Sequence, residues 1–309
     1  MGRPHSRVLA GLRELQSRCT GRVRKRWRVL LFAALGVGCR PASPLRIPSA
    51  EWTPRYEGVR TLSVELTEPR PLRVHVVEVD LMRGPRLVPS GSNGDRPLDV
   101  DGQTTLDFAV ERDCQVAINT SPFDPVVQQP GAPKDLVGIA ITDGELFSKP
   151  HRRYGAFAIS DDGSVGILDP PIQEAELSSV RHAVGGFQPL LSDGRDVSGV
   201  STHVRGRHPR TAVGVSRDGK RVWLLVVDGR QRGFSEGVSL RELARLMASL
   251  GADDALNLDG GGSTTLVMRR GDDAYVVNSP IHDHVPGRLR VVGSSLCVFA
   301  EPLAAVSSG

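Results

Sequence analysis

The chain has 309 residues, room for one large domain or two small ones, and carries 39 Lys and Arg against 35 Asp and Glu. Residues 1–38 hold nine of the basic residues and one acid, Glu14, so the remainder has 30 basic and 34 acidic side chains. A body of that charge excludes the electrostatic footprint of a nucleic-acid binder.

The N-terminal basic cluster (Arg22, Arg24, Lys25, Arg26, Arg28) precedes an apolar run over 29–37 that is too short to span a bilayer. Gly38-Cys39 follows and resembles a lipoprotein cleavage point, with Gly36 where such signals usually have Leu. Residues 1–38 are therefore expected to be an export signal, with a lipid on Cys39 as the single link to a membrane. Ordinary cleavage and an uncleaved anchor are the alternatives. Residues 39–55, with Pro41, Pro44, Pro48 and Pro54, read as a tether. If Cys39 is the mature terminus, Cys114 and Cys297 are the thiols that remain. They could pair in an oxidising compartment or stay as two buried free cysteines, and spacing does not decide.

Folded structure is expected from about residue 56. Alternation over 59–67 and 71–81 predicts strands, residues 89–102 a loop, and 104–112 a short helix. Residues 116–119 read as a buried strand running into an irregular loop, where Pro122 and Pro125 oppose regular pairing. Residues 128–135 read as a second loop, and 138–142, 156–160 and 165–168 as strands separated by Asp-Gly turns. Residues 184–191 are a glycine-bearing stretch, and Arg205, Arg207, His208 and Arg210 form a local basic run. Residues 222–227 are continuously apolar, as in a central strand buried on both faces. Ser239 and Glu242 then form a capping box, Leu240, Leu243, Ala244, Met247 and Leu250 keep helical spacing, and Gly251 stands at the stop.

The helix hands over to a strand in which Leu256 and Leu258 alternate with Asn257 and Asp259, placing Asp259 at the exit. Gly260, Gly261 and Gly262 follow. Successive exposed amides there would make a concavity for an anion, with Ser263 and Thr264 adding hydroxyl donors. A glycine triplet between strands is also ordinary hairpin or bulge chemistry.

The run 255–265 (Ala-Leu-Asn-Leu-Asp-Gly-Gly-Gly-Ser-Thr-Thr) resembles the signature of the phosphodiester glycosidase family. Arg210-Thr211-Ala212, Val227-Asp228-Gly229-Arg230, Ser235 with Gly237, and Val277-Asn278-Ser279-Pro280 match further family stretches in order. The similarity covers about 60–300. Two stretches depart: Thr120 and Ser121 follow Asn119 where the family has two glycines, and Phe187-Gln188 interrupts its Gly-Gly-Gly-Pro run. The resemblance implies a single α+β catalytic domain over 56–302, with mixed β-sheet and few helices, followed by a tail at 303–309. It implies hydrolysis of a sugar-1-phosphodiester or related glycoside in the cell envelope or outside the cell.

A phosphate monoester leaves as an anion, so anion-binding donors can replace the general acid that glycosidases usually need. Asp259 or Asp228 is then the carboxylate at the anomeric carbon or its water. Arg210, Gly260, Gly261, Gly262, Ser263 and Thr264 are expected to hold the phosphate, Asn119 and Asn278 the sugar, and Arg230 to belong to the substrate-binding set. No cofactor is required, and a divalent ion on Asp228 or Asp259 stays open. His282-Asp283-His284 lacks the rest of a zinc pattern and reads as a solvated loop. The competing readings are a metal-assisted phosphoesterase and a non-catalytic glycan-binding lipoprotein.

Overall fold

The computed structural model describes residues 45–48, 50–200 (without the Val200 side chain) and 206–304. The expected export signal, Cys39, His203 and Arg205 lie outside the described residues.

The largest sheet runs Thr53–Tyr56, Val59–Leu66, Leu72–Asp80, Arg221–Val227, Arg210–Val215, Asp254–Asn257, Pro189–Ser192 and Arg195–Asp196 in spatial order. Every pairing in it is antiparallel. Period-two alternation sorts its side chains onto two cores. Val74, Val76, Leu225 and Val227 face the helix Leu240–Leu250, while Val77, Val79, Leu224 and Val226 face the opposite way. The strand Arg221–Val227 is thus buried on both faces, as its unbroken apolar run predicts.

Two five-stranded sheets cover that second face. One contains Val116–Asn119, Leu266–Arg270 and Ser295–Phe299, the other Ala156–Ser160 and Val180–Gly185. Ile118, Leu266 and Leu296 join Phe157, Val184, Val213 and Leu256 in one core. The architecture is a single-domain α+β fold, mostly β, with two α-helices among the described residues.

The helix Leu240–Leu250 has the ends its sequence predicts. Ser239 and Glu242 complete the capping box, and Gly251 takes the left-handed conformation at φ 97°. This helix connects Arg221–Val227 to Asp254–Asn257, and Arg210–Val215 lies between those two strands, antiparallel to each. The two connected strands therefore run in the same direction and end at the same edge. That topology brings Asp228 and Asp259 to one end of the fold.

Three expectations need correction. The stretch 39–55 is not all tether: Leu45 is buried in the helix-side core, with Ile47 and Trp52 packed beside it, and Thr53–Tyr56 is an edge strand. Apolar residues set between prolines find the core without needing a ladder. Residues 128–135 are not all loop, because Pro133–Leu136 pairs with Val100–Asp101 and Phe123–Asp124. Phe123–Asp124 itself pairs for two residues between the prolines. The run 281–286 is a hairpin of Ile281–His282 with Val285–Pro286, turned by Asp283 and His284 at φ 51° and 62°.

Cys114 and Cys297 form a disulfide across a sequence separation of 183. Both are buried against Phe108, Ala109 and Val267. Closing so long a loop restrains the unfolded chain, so replacing both cysteines by alanine should remove about 2–5 kcal/mol of stability. Urea unfolding of the variant against the oxidised protein, each extrapolated to water with its own m-value, measures it.

Candidate active site at the glycine turn

Strands from both facing sheets deliver their ends to one edge. Arg210 opens one strand and Asp228 follows its neighbour; Asn257 and Asn119 close two others, and Leu266 and Ser295 open two more. The ladder ends at Asn257, two residues before the expected exit. Leu258 N–H still donates to the Thr211 carbonyl at 2.9 Å, and Asp259 N–H crosses to the Thr120 carbonyl at 2.8 Å. Asn119 fastens this crossing from below. Its Nδ2 donates to the Asp259 carbonyl at 2.6 Å, and its Oδ1 accepts from Thr211 Oγ1 and Thr265 N–H, each at 3.0 Å.

The glycine triplet is neither a hairpin nor an open cradle. Gly261–Ser263 forms one 3-10 turn, and Gly261, at φ 63°, donates its N–H to the Pro209 carbonyl at 2.9 Å. Ser263 and Thr264 are buried. The Ser263 hydroxyl accepts from Arg290 Nη1 at 3.2 Å, and Thr264 Oγ1 lies 3.4 Å from Thr211 Oγ1. Of the donors expected to face a ligand, the Gly261 amide and the two hydroxyls thus have neighbours within the protein.

What overlies the turn is arginine. A Cβ on Gly261 would meet Arg230 Nη2 at 3.1 Å, and one on Gly262 would meet Arg290 Nη2 at 2.5 Å. One on Gly260 would meet the Pro209 carbonyl at 2.8 Å, with Arg210 Cδ at 3.8 Å. Glycine is required here so that cations and backbone can approach. Arg210 donates through Nε to the Val238 carbonyl at 3.2 Å and through Nη2 to the Gly206 carbonyl at 3.0 Å. Arg290 Nε donates to His282 Nδ1 at 3.1 Å, and Arg230 Nη2 lies 3.4 Å from His208 Nδ1. Among the described residues none of the three arginines is ion-paired with a carboxylate. Arg230 also holds a left-handed backbone at φ 58°, uncommon for a long side chain.

The electrostatics follow from that crowding. Burial, and then Arg230, hold Arg210 down at about 10. Burial and then Arg290 lower Arg230. Lys134, fully buried, is lowered by burial and then by Arg290; its Nζ donates to the carbonyls of Pro125 at 3.1 Å and Val127 at 2.9 Å. Asp259 is the acid at the turn. Burial pushes its carboxyl up to about 6, against the opposing pull of Ser263, Arg290 and the Gly260 N–H.

Asp228 sits deeper, 1 % exposed. Its Oδ1 accepts from Asn278 Nδ2 at 3.0 Å and Ser279 N–H at 2.9 Å, and its Oδ2 lies 3.5 Å from His75 Nε2. Asn278 also donates to the Thr264 carbonyl at 3.1 Å and accepts from Leu266 N–H at 2.8 Å. Asp228 and Asn278 thus brace the far side of the turn. Among the described residues, the one group of acids whose oxygens converge as metal ligands do is Asp193, Asp253 and Asp254. It lies at the opposite end of the strand Asp254–Asn257.

The sequence reading missed Arg290, His282 and Lys134. His282 was visible in the HxH run but was read as solvated, whereas it is 3 % exposed. Arg290 carried no local signal, because only the hairpin before it turns it back over Gly262.

The family model described as phosphodiester glycosidase matches residues 112–299. The mouse N-acetylglucosamine-1-phosphodiester alpha-N-acetylglucosaminidase is 29% identical over 217 residues, covering 64% of this chain and 40% of that protein. The chain therefore spans less than half the length of this relative. The zebrafish catalytic domain of the same name, solved in a form auto-inhibited by its pro-peptide, is similar in fold. Its TM-score is 0.60 at 22% identity, covering 84% of this chain and 87% of that one. A hypothetical protein from Synechocystis gives a TM-score of 0.59 at 18% identity, covering 79% of this chain and 62% of that one.

Proposed function

The chain belongs to the phosphodiester glycosidase family, and on that footing we propose that it hydrolyses the glycosidic bond of a sugar-1-phosphodiester outside the cytoplasm. The observation that carries this reading is the gathering of one desolvated carboxyl, Asp259, with three arginines that make no ion pair with a carboxylate among the described residues. In the proposed reaction the bond between the anomeric carbon and the phosphate oxygen breaks, and the electron pair leaves with the phosphate monoester. Arg230 and Arg290 meet the charge that builds there, with Arg210 behind them. Ionised Asp259 takes the proton of the attacking water, or attacks first and is released by water. Asp228, Asn119 and Asn278 take positioning roles in place of the direct contacts expected of them, since Asp228 Oδ1 and the two asparagine amides hold the turn and the segment behind it.

Export is supported by the basic and apolar leader and by the Cys114–Cys297 disulfide, which suits an oxidising compartment. A lipid on Cys39 would be the membrane link. Thr120 and Ser121 replace the family's two glycines beside Asn119, so the sugar recognised is proposed to differ from that of the animal enzymes.

The test is turnover of a sugar-1-phosphodiester in oxygen-18 water. Label in the sugar supports this reaction. Label in the phosphate overturns it in favour of phosphoesterase chemistry, and binding without turnover reduces the protein to a glycan binder. A diester has no proton to lose near neutrality, so kcat/KM should follow Asp259. It should rise with pH and reach half its plateau at about 6. A profile that is flat from pH 4.5 to 8 removes Asp259 as the base.

A further inference from the structure

His282 takes no part in the proposed reaction, yet it is buried at the edge of the site. Its hairpin, Ile281–His282 with Val285–Pro286, packs against the turn Gly261–Ser263. The left-handed residues Asp283 and His284 close that hairpin and fix the imidazole's place.

An arginine Nε always carries its proton, so His282 Nδ1, 3.1 Å away, must offer a lone pair. The ring proton then sits on Nε2, which lies 3.2 Å from Asp283 Oδ2. Burial and then Arg290 hold His282 below the usual imidazole range, with Asp283 pulling upward and Arg288 downward, so the acceptor is present at neutral pH. Arg290 Nη1 is engaged by Ser263, and Nη2 faces Gly262.

We infer that His282 is a positioning residue that holds Arg290 over the glycine turn and so builds the anion seat without touching the ligand. The chemistry explains why the partner is an imidazole. A carboxylate would fix the same guanidinium but cancel its charge, whereas a neutral acceptor fixes direction and leaves the full charge for the ligand. The inference rests on the anion-binding reading of the turn and not on turnover.

Sulfate, a dianion throughout the neutral range, is the probe, titrated calorimetrically into the full chain at pH 7.5. His282→Leu should weaken sulfate binding about tenfold, the effect of one lost hydrogen bond to a charged group. His282→Asn sets Oδ1 where Nδ1 stood and should restore affinity to within about threefold of wild type, on the same principle. In an Arg290→Met background, His282→Leu should add nothing, because its target is gone. Wild-type affinity in His282→Leu overturns the inference. So does equal loss in the Leu and Asn variants with matching falls in Tm, which marks a structural role. If the wild type binds no sulfate, the anion reading of the turn falls and takes the inference with it. If sulfate binds but no glycoside turns over, the proposed reaction fails while His282 is still decided.

Discussion

Asp259→Asn should lower kcat by about 10³-fold, within the range for loss of a positioned base, and should leave the protein more stable than wild type at pH 8. The two effects share one cause. Burial raises the folded carboxyl from 3.8 to about 6, so the native state binds its proton more tightly than the unfolded chain does. Between those values the native state holds more protons, and stability falls as pH rises. Above about 6 the full penalty is present, on the order of 3 kcal/mol if the whole shift is counted. Asparagine does not ionise and escapes it. Thermal denaturation should therefore show Asp259→Asn above wild type at pH 8 and level with it near pH 4. Wild-type turnover would place the carboxyl outside the chemistry, and a gain in stability at pH 4 equal to that at pH 8 would show that ionisation of the buried carboxyl is not its cause.

Arg290→Met should lower kcat/KM on a sugar-1-phosphodiester by about 10²–10³-fold, the usual effect of removing one preorganised donor from developing negative charge. On a neutral aryl glycoside of the same sugar the loss should be several-fold smaller, because less anionic charge has to be met. Gly262→Ala should reproduce part of the defect without touching the arginine. The new methyl would fall 2.5 Å from Arg290 Nη2, and the guanidinium, being the mobile partner, would swing off the turn. Equal losses on both substrates would mean that Arg290 supports the fold of the site and not the leaving phosphate.

Where local rules decide, the sequence was readable. The helix Leu240–Leu250 has its cap, stripe and glycine stop written within thirteen residues. The strand Val116–Asn119 is buried along its length as read, and Ala156–Ser160 and Val165–Leu168 flank the Asp162-Gly163 turn. Asp259 and Arg210 were legible as candidates because each lies beside a distinctive motif. The depth of Asp228 was not, since whether a strand-end carboxylate faces solvent depends on what another segment lays over it, here Asn278 and Ser279. Ser263 and Thr264 looked like donors for the same reason: sequence shows hydroxyls, not what already binds them. Leu45 was lost among prolines that suggested a tether, and Arg290 gains its meaning through a fold-back of twenty-eight positions toward Gly262.

The overlay of Gly261 and Gly262 by the guanidiniums of Arg230 and Arg290, with the Arg210 stem beside Gly260, has a consequence for how such triplets are read. The missing side chains are the mould of the cations above them, and the backbone beneath, with Gly261 N–H committed to Pro209, is a floor more than a hand. On the proposed reading, affinity for an anion at this turn is set by distant arginines brought in by folding. The glycines contribute clearance, and clearance has no preference for one ligand over another.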